Sequence, residues 1–553
     1  MRRRALFTTS ATAGFVVVTG IPAKAEAAHH TDDLCFLPPH VLARMLSRGK
    51  VSAVEITNAH LARIARRQPV IRAYATTRQD LALADARRSD ERRRIARRGG
   101  KPLHPLDGLP AASKMLFDFV GGPGEQSWDF GSLAFQGLGF VPPASAPWVE
   151  ALQKAGMVFL GVTDSPEFGH KSTTGNRIRG AVRSPWDHRH NPGGSSGGAG
   201  AAAADHQGVA FIGSDAAGSI RTPSALSGVV GHYPSRGLIA QPPAPLAARP
   251  FFSPGPIARD VWTVAHQLGV MSAPNAGDPL GLPPLPSEWR DYAGVIEKAR
   301  RDKPLKGMRI AYSASFDGIF PVEPAVAAVV RAALQVLESA GAIVEEVPLG
   351  FDKLMLDDPF GGNPRTATRQ DLSDLWVHNR QAVLYAHAAD LLRHYGLPVD
   401  LRQVTDKLSP QFAAMLQDGI RLSALDHLHG DFLAAAIDGT FQAAFAKYDC
   451  IVTPTTGVAR VLNNNSGNTL GPTTVNGVAV DSQIGWTLTH LVNSSGVPAT
   501  SVPCGFVSNP DGGRKLPVGM QVIGQRFRDD RNLLVAASVE ARQPWAQHYP
   551  QEH

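Results

Sequence analysis

Cysteine is scarce: Cys35, Cys450 and Cys504 are the only ones among 553 residues. An odd, sparse set excludes a disulfide framework and leaves room for one bridge at most. Charge is thin as well. Charged residues make up 19% of the chain against 43% hydrophobic ones. That balance excludes a disordered protein and describes a globular one with a large core. Beyond the N-terminal leader, no apolar run reaches the roughly 18 residues needed to span a bilayer, so no stable membrane anchor is expected. Internal repeats and low-complexity tracts are absent. The formal charge of +7 does not imply nucleic-acid binding, because Arg2, Arg3, Arg4 and Lys24 lie in the leader, opposed there only by Glu26.

Residues 1–27 read as an export signal. Arg2-Arg3-Arg4 precede a modest apolar stretch from Ala11 to Ile21, and Ala23-Lys24-Ala25 and Ala25-Glu26-Ala27 are small-residue cleavage sites. The arginine pair followed by Ala5-Leu6-Phe7 resembles the twin-arginine type. The mature protein is therefore expected in the periplasm or outside the cell.

The chain is organised around Asn191 to Pro223, which holds two serines in glycine-rich settings 24 positions apart. Ser195 lies in Gly193-Gly194-Ser195-Ser196-Gly197-Gly198, and Ser219 in Ala216-Ala217-Gly218-Ser219-Ile220-Arg221. Between them an Ala-rich segment suits a buried helix, and Val209 to Ile212 suits a short strand. Such a path can bring both serines to one end of a sheet. Glycine beside serine lets backbone N–H groups approach a ligand, and convergent N–H groups stabilise an oxyanion.

Helical patterning dominates residues 38–98. Ser52 and Glu55 have capping-box spacing, for a helix ending before Pro69, and Gln79 to Arg98 forms another whose Arg92, Arg93, Arg94, Arg97 and Arg98 read as a solvated face. Strands and helices then alternate. Met157–Val162, Arg309–Tyr312, Ile343–Val347, Cys450–Val452, Thr500–Val502 and Val518–Ile523 read as strands, Glu323–Ser339 as a helix, and residues 370–447 as mostly helical. Alternation of this kind means an α/β layered fold. The Pro-rich stretch Gly277–Asp302 reads as an exposed connection.

These segments resemble the amidase signature family. The resemblance rests on the GGSSGG loop, the later serine before Ile220-Arg221, and Gly108-Leu109-Pro110 leading to Lys114. It also rests on Thr163–Gly169, Ser184–Asp187, Gly255–Arg259, Gly496–Ala499 and Pro517–Gln521, and it covers roughly residues 38–540. It implies one catalytic domain over 28–545 with a mixed β-sheet covered by helices, the helical region 355–440 serving the substrate pocket. By the same resemblance Ser219 is the nucleophile, Ser195 the bridge after a cis peptide from Gly194, and Lys114 the base. The N–H groups of Ala216, Ala217, Gly218 and Ser219 form the oxyanion hole. A serine needs an adjacent base, and a lysine serves as one only when neutral, which desolvation favours. Asp215 and Arg221 read as a structural pair holding the loop. The reaction implied is cleavage of a carboxylic amide C–N bond in small aryl or aliphatic amides through an acyl-enzyme, with esterase side activity. The partner is a small-molecule substrate, with a homodimer compatible and no cofactor implied.

The chain departs from the family at Met115, where Asp is usual (Asp118 matches a later acidic position), at Ala216-Ala217, and at Tyr233-Pro234-Ser235. None of these removes a catalytic atom. Three rival readings compete. Gly193–Gly197 satisfies the G-x-S-x-G elbow of α/β-hydrolase esterases, which needs a strand just before it and a histidine partner. A protein that transfers amide nitrogen to charged transfer RNA, in company with partner subunits, belongs in the cytoplasm, against the leader. A catalytically inactive binding protein on the same fold would have lost catalytic residues. His427 and His429 lack a third metal ligand at suitable spacing. Trp128, Phe130, Phe360, Trp376 and Phe412 suit either the acyl pocket or the core.

Overall fold

Short apolar runs that are buried on both faces become strands here, as in Val158–Thr163, where all six residues are buried. The computed structural model describes residues 34–116, 120–121, 127–241, 251–272, 278, 281–282, 284–356, 365–382, 397, 399–464 and 467–551. The residues expected to form an export leader, Asp118, Phe360 and part of the 355–440 region lie outside these residues.

In chain order the main strands are β1 (Tyr74–Thr77), β2 (Pro110–Lys114), β3 (Val158–Thr163), β4 (Ala210–Asp215), β5 (Val230–Tyr233) and β6 (Ser253–Ala258). They continue with β7 (Arg309–Tyr312), β8 (Ile343–Glu346), β9 (Cys450–Pro454), β10 (Ala499–Val507) and β11 (Leu516–Gly524). They form one 11-stranded sheet in the order β1-β3-β2-β4-β6-β5-β10-β11-β9-β7-β8. The sheet is mixed. β3, β2 and β4 run parallel, as do β9, β7 and β8, and the strands between are antiparallel.

The helices that bear on the argument are α1 (Ala53–Ile71), α2 (Gln79–Arg97), α3 (Gly197–Ala204), α4 (Arg221–Ser227), α5 (Pro324–Ser339), α6 (Ala424–Phe445), α7 (His490–Ser495) and α8 (Asp529–Arg542). α1 opens on the Ser52–Glu55 capping box. It runs through Pro69 to Ile71 rather than stopping before the proline. The stop is set instead by Arg72 in the left-handed region, whose N–H caps Gln68. α2 is not a purely solvated face. Arg93 is buried, and Arg92 and Arg93 clamp Asp107 at the turn into β2.

The Gly277–Asp302 stretch is more than a connection. Gly294–Ala299 forms a helix that packs on α8 and buries Val295 and Ala299. Four strands of the sheet escaped the sequence reading, β2 among them because its run Pro110-Ala111-Ala112-Ser113-Lys114 is made of small residues and a lysine. β1 and β5 are only four residues long, and β6 carries Pro254 and Pro256, which argue against a strand on pattern alone. All three cysteines are buried, and none forms a disulfide among the described residues. Among the described residues no helix is long and apolar enough to cross a membrane.

Candidate active site

Parallel strands of an open α/β sheet present their carboxyl ends to ligands, and the serines and lysine gather there. Lys114 ends β2, and Ser214 and Asp215 end β4, beside it in the sheet. The loop carrying Ser195 precedes α3, and the loop carrying Ser219 joins β4 to α4. Ser196 N–H donates to the Ser219 carbonyl at 3.1 Å, so the two serine loops are tied together.

Lys114 is fully buried. Its Nζ donates to Ser195 Oγ at 2.7 Å and to Ser214 Oγ at 2.9 Å. The Gly194–Ser195 peptide is cis. The loop around it is held from outside: Thr174 Oγ1 donates to the Gly193 carbonyl at 2.8 Å and accepts from Gly197 N–H at 3.0 Å. Asn191 Oδ1 accepts from the N–H groups of Gly193 and Thr174.

Ser219 is half-buried, unlike the buried Ser195 and Ser214. Its hydroxyl makes no hydrogen bond among the described residues. Below it lies a wholly buried polar network. Arg221 Nε and Nη2 each reach Asp215 at 3.0 Å. Arg221 Nη1 donates to the Thr489 carbonyl at 2.9 Å and to Gln521 Oε1 at 2.6 Å. Asn493 accepts from Arg221 and donates to Asp215. Burial alone would raise the Asp215 carboxyl. The Arg221 guanidinium, helped by Asn493 and the Gly218 N–H, outweighs burial and holds it below its usual range.

That network corrects the expected oxyanion hole at one position. Gly218 N–H donates to Asp215 Oδ1 at 2.6 Å, and is therefore committed inward. The N–H groups of Ala216, Ala217 and Ser219 bond to no described group. Gly218 itself has φ +127, and a Cβ there would stand 2.0 Å from Thr489 Oγ1. Only glycine fits that turn. Thr489 Oγ1 in turn donates to the Ala217 carbonyl, which fixes the peptide preceding Gly218.

Beside the loop, Trp128, Phe130, Phe168, Trp376 and Phe412 form a buried apolar cluster with Met115, Leu116, Ala217 and Phe251. Four of the five aromatics that the sequence left between pocket and core thus belong to the cluster flanking the site, and the fifth, Phe360, lies outside the described residues. Ser214, Asn493, Thr489 and Gln521 were missed as site residues. Ser214 adjoins Asp215, read from the sequence as half of the loop's supporting pair, and Gln521 ends the Pro517–Gln521 segment of the resemblance, so both had a signal. Asn493 and Thr489 had none. Residues 182–189, ahead of the glycine-rich loop, form no strand, and the elbow geometry of an α/β-hydrolase has no support there. His427 and His429 sit on α6, and no group of three metal-ligating side chains occurs among the described residues.

Comparison with known proteins agrees with this architecture. A crystal structure of a bacterial aryl acylamidase superimposes with a TM-score of 0.82 at 26% identity, over 94% of this chain and 99% of that one. An acylamidase from Rhodococcus erythropolis is 30% identical over 94% of this chain and 98% of that protein. A glutamyl-tRNA(Gln) amidotransferase subunit from Desulforamulus reducens is 30% identical over 92% of this chain and 97% of that protein. The Amidase family profile matches residues 55–533, and on that match the chain belongs to the amidase signature family.

Proposed function

We propose that the protein hydrolyses the C–N bond of small carboxylic amides through an acyl-enzyme on Ser219, with Lys114 as base and Ser195 as relay. One observation carries the reading: a fully buried lysine whose Nζ lies 2.7 Å from Ser195 Oγ, at the strand ends that also present Ser219. Full burial works against a charged ammonium. Ser219 Oγ attacks the carbonyl carbon while its proton passes through Ser195 to Lys114. This requires the Ser219 hydroxyl to turn onto Ser195 when substrate binds; such bonds are often loose without substrate. The N–H groups of Ala216, Ala217 and Ser219 receive the oxyanion. The proton returns to the leaving nitrogen, the amine departs, and water cleaves the acyl ester along the same path to give the acid.

The aromatic cluster beside Ala217 supports aryl or bulky apolar amides as substrates, in line with the aryl acylamidase and acylamidase likenesses. Aryl esters, which are more easily cleaved, follow as a side activity. A second reading, an amide-transferring subunit, draws on the amidotransferase likeness. The leader is the reason to set it second. Purified protein that releases ammonia from glutamine only alongside partner subunits would favour it. We also place the mature protein outside the cytoplasm, starting near Glu26 or Ala28. N-terminal sequencing of secreted material tests this, and an intact Met1 on cytoplasmic protein contradicts it.

The direct test of the main reading is a serine-directed phosphonate probe with peptide mapping. The label is expected on Ser219 and absent from a folded Ser219→Ala protein. Label on another serine, or activity in Ser219→Ala above a trace, contradicts the assignment.

A further inference from the structure

Three arginines converge on a cleft of about 350 Å³ that adjoins the site from behind Phe251. Arg236 comes from the turn after β5, Arg380 from the helical segment Leu375–Gln381, and Arg526 from the turn after β11. Asp431 and Asp438 of α6 complete its charged lining. Three cations face two carboxylates, so the cleft carries one net positive charge.

The arginines are incompletely satisfied. Arg380 is 5% exposed, and its one hydrogen bond among the described residues runs to Asp431, a mostly exposed side chain. Arg236 Nη2 donates to the carbonyls of Asn493 and Ser494, yet its Nε is buried without an acceptor. Arg526 Nη2 donates to the Ser495 carbonyl at 2.6 Å and stands 3.6 Å from Asp438, and its Nε too is buried without an acceptor. Burial pushes the Arg236 guanidinium below its usual range, and Arg526 and Arg380 push the same way against Tyr233 and Asp438. Leaving charged donors unmet costs more than leaving neutral ones unmet. Planar guanidinium groups are matched by oxygen pairs of carboxylate and phosphate. The Arg380 guanidinium carbon also lies over the Phe251 ring, 5.7 Å from its centroid, within cation–π range.

We propose that this cleft is a binding site for a small oxyanion, carboxylate or phosphate, held by Arg380 and Arg526 with Arg236 behind them. Asp431 is the resident counter-ion that the ligand displaces. The anion is either free in solution or a carboxylate borne by the amide substrate. The cleft touches the nucleophile loop through Asn493, whose carbonyl accepts from Arg236 and whose side chain holds Asp215 and Arg221.

The test is calorimetric titration of the purified protein with inorganic phosphate, and separately with succinate, at fixed ionic strength. One site is expected. Affinity should fall about tenfold or more in Arg380→Gln and in Arg526→Gln, the loss of one charged hydrogen bond. It should rise in Asp431→Asn, which removes the competing carboxylate from an exposed position and leaves folding intact. No heat with either anion, or binding indifferent to all three changes, overturns the proposal. Ser219→Ala should bind like the wild type, so this result stands or falls apart from the catalytic reading. Matched anilides with and without a terminal carboxylate separate the two sources. A carboxylate preference in kcat/KM that Arg380→Gln erases assigns the cleft to substrate, whereas equal kcat/KM with phosphate binding intact assigns it to a free anion.

Discussion

Ser219 is half-buried and follows directly on a glycine whose N–H is tied to a buried ion pair. The Asp215–Arg221 pair is fully buried and takes up the Gly218 and Ile220 N–H groups, the Thr489 carbonyl, Gln521 and Asn493. Removing one member leaves the other charge buried without its partner, which costs about 3–5 kcal/mol. Arg221→Leu should therefore unfold at markedly lower urea concentration than the wild type, and an unchanged midpoint would show the network to be dispensable. The sign of its pH dependence follows from the depressed Asp215 carboxyl. Its contribution is present above the ordinary carboxylate range and is lost as pH falls through the lower folded value. At this scale the sequence was informative where partners lie close along the chain. The Asp215–Arg221 pair, six residues apart, was legible from the loop itself, whereas the contact of Lys114 with Ser195, across 81 residues, was reached only through the family resemblance. Asn493 lies 272 residues from Arg221, and nothing local marks an asparagine whose work is done across the sheet. The Gly218 N–H was misassigned for a related reason, since a loop sequence shows which N–H groups exist and not which way they turn.

Among the elements, α3 shows why glycine recurs in the organising stretch. All eight of its residues are buried. A Cβ on Gly198 would stand 2.5 Å from the Asp164 N–H nitrogen and carbonyl oxygen and from the Ala73 carbonyl. Those are backbone atoms that cannot rotate aside, so Gly198→Ala should cost about 3 kcal/mol or more through overpacking. The exposed Gly439 in α6 has nothing within 4 Å of its would-be Cβ, so Gly439→Ala should add about 0.5–1 kcal/mol through helix propensity. Chemical denaturation of the two variants checks both signs at once, and a stable Gly198→Ala protein would contradict the packing described. Long periodic elements such as α5 were legible nearly to the residue, with Glu323 standing as its N-cap. β6 was not, because its prolines lie between two strand neighbours whose pairing tolerates them only in the assembled sheet.

On the scale of the whole molecule, buried histidines that favour the neutral form add to the loss of stability in acid. Burial pushes His490 down to about 3, with Arg221 adding to the effect, and burial with Lys171 nearby pushes His170 to about 3. Between about 6.5 and 3 the unfolded chain binds protons that the folded one refuses. Stability is therefore complete above the upper value and declines as pH falls. Both His490 ring nitrogens lack a hydrogen-bond partner among the described residues, so His490→Phe should flatten the decline between pH 7 and pH 4.5 in urea unfolding. An identical slope would place the acid sensitivity elsewhere. The sheet also sets Lys114, at the end of β2, against Ser214 at the end of β4, with Ser195 Oγ 2.7 Å from its Nζ, and the central claim rests on that junction. The measurement that tests it most directly is kcat/KM for a matched anilide and phenyl ester, wild type against Lys114→Ala, across a range of pH. An amine cannot leave a tetrahedral intermediate without a proton, whereas a phenolate can. General acid-base catalysis is typically worth about 10²–10⁴-fold. Both activities should fall in Lys114→Ala, the anilide by the larger factor, and the wild-type rate should decline towards acid as Lys114 takes up a proton. Equal losses on the two substrates, or an unaffected variant, would contradict the central claim.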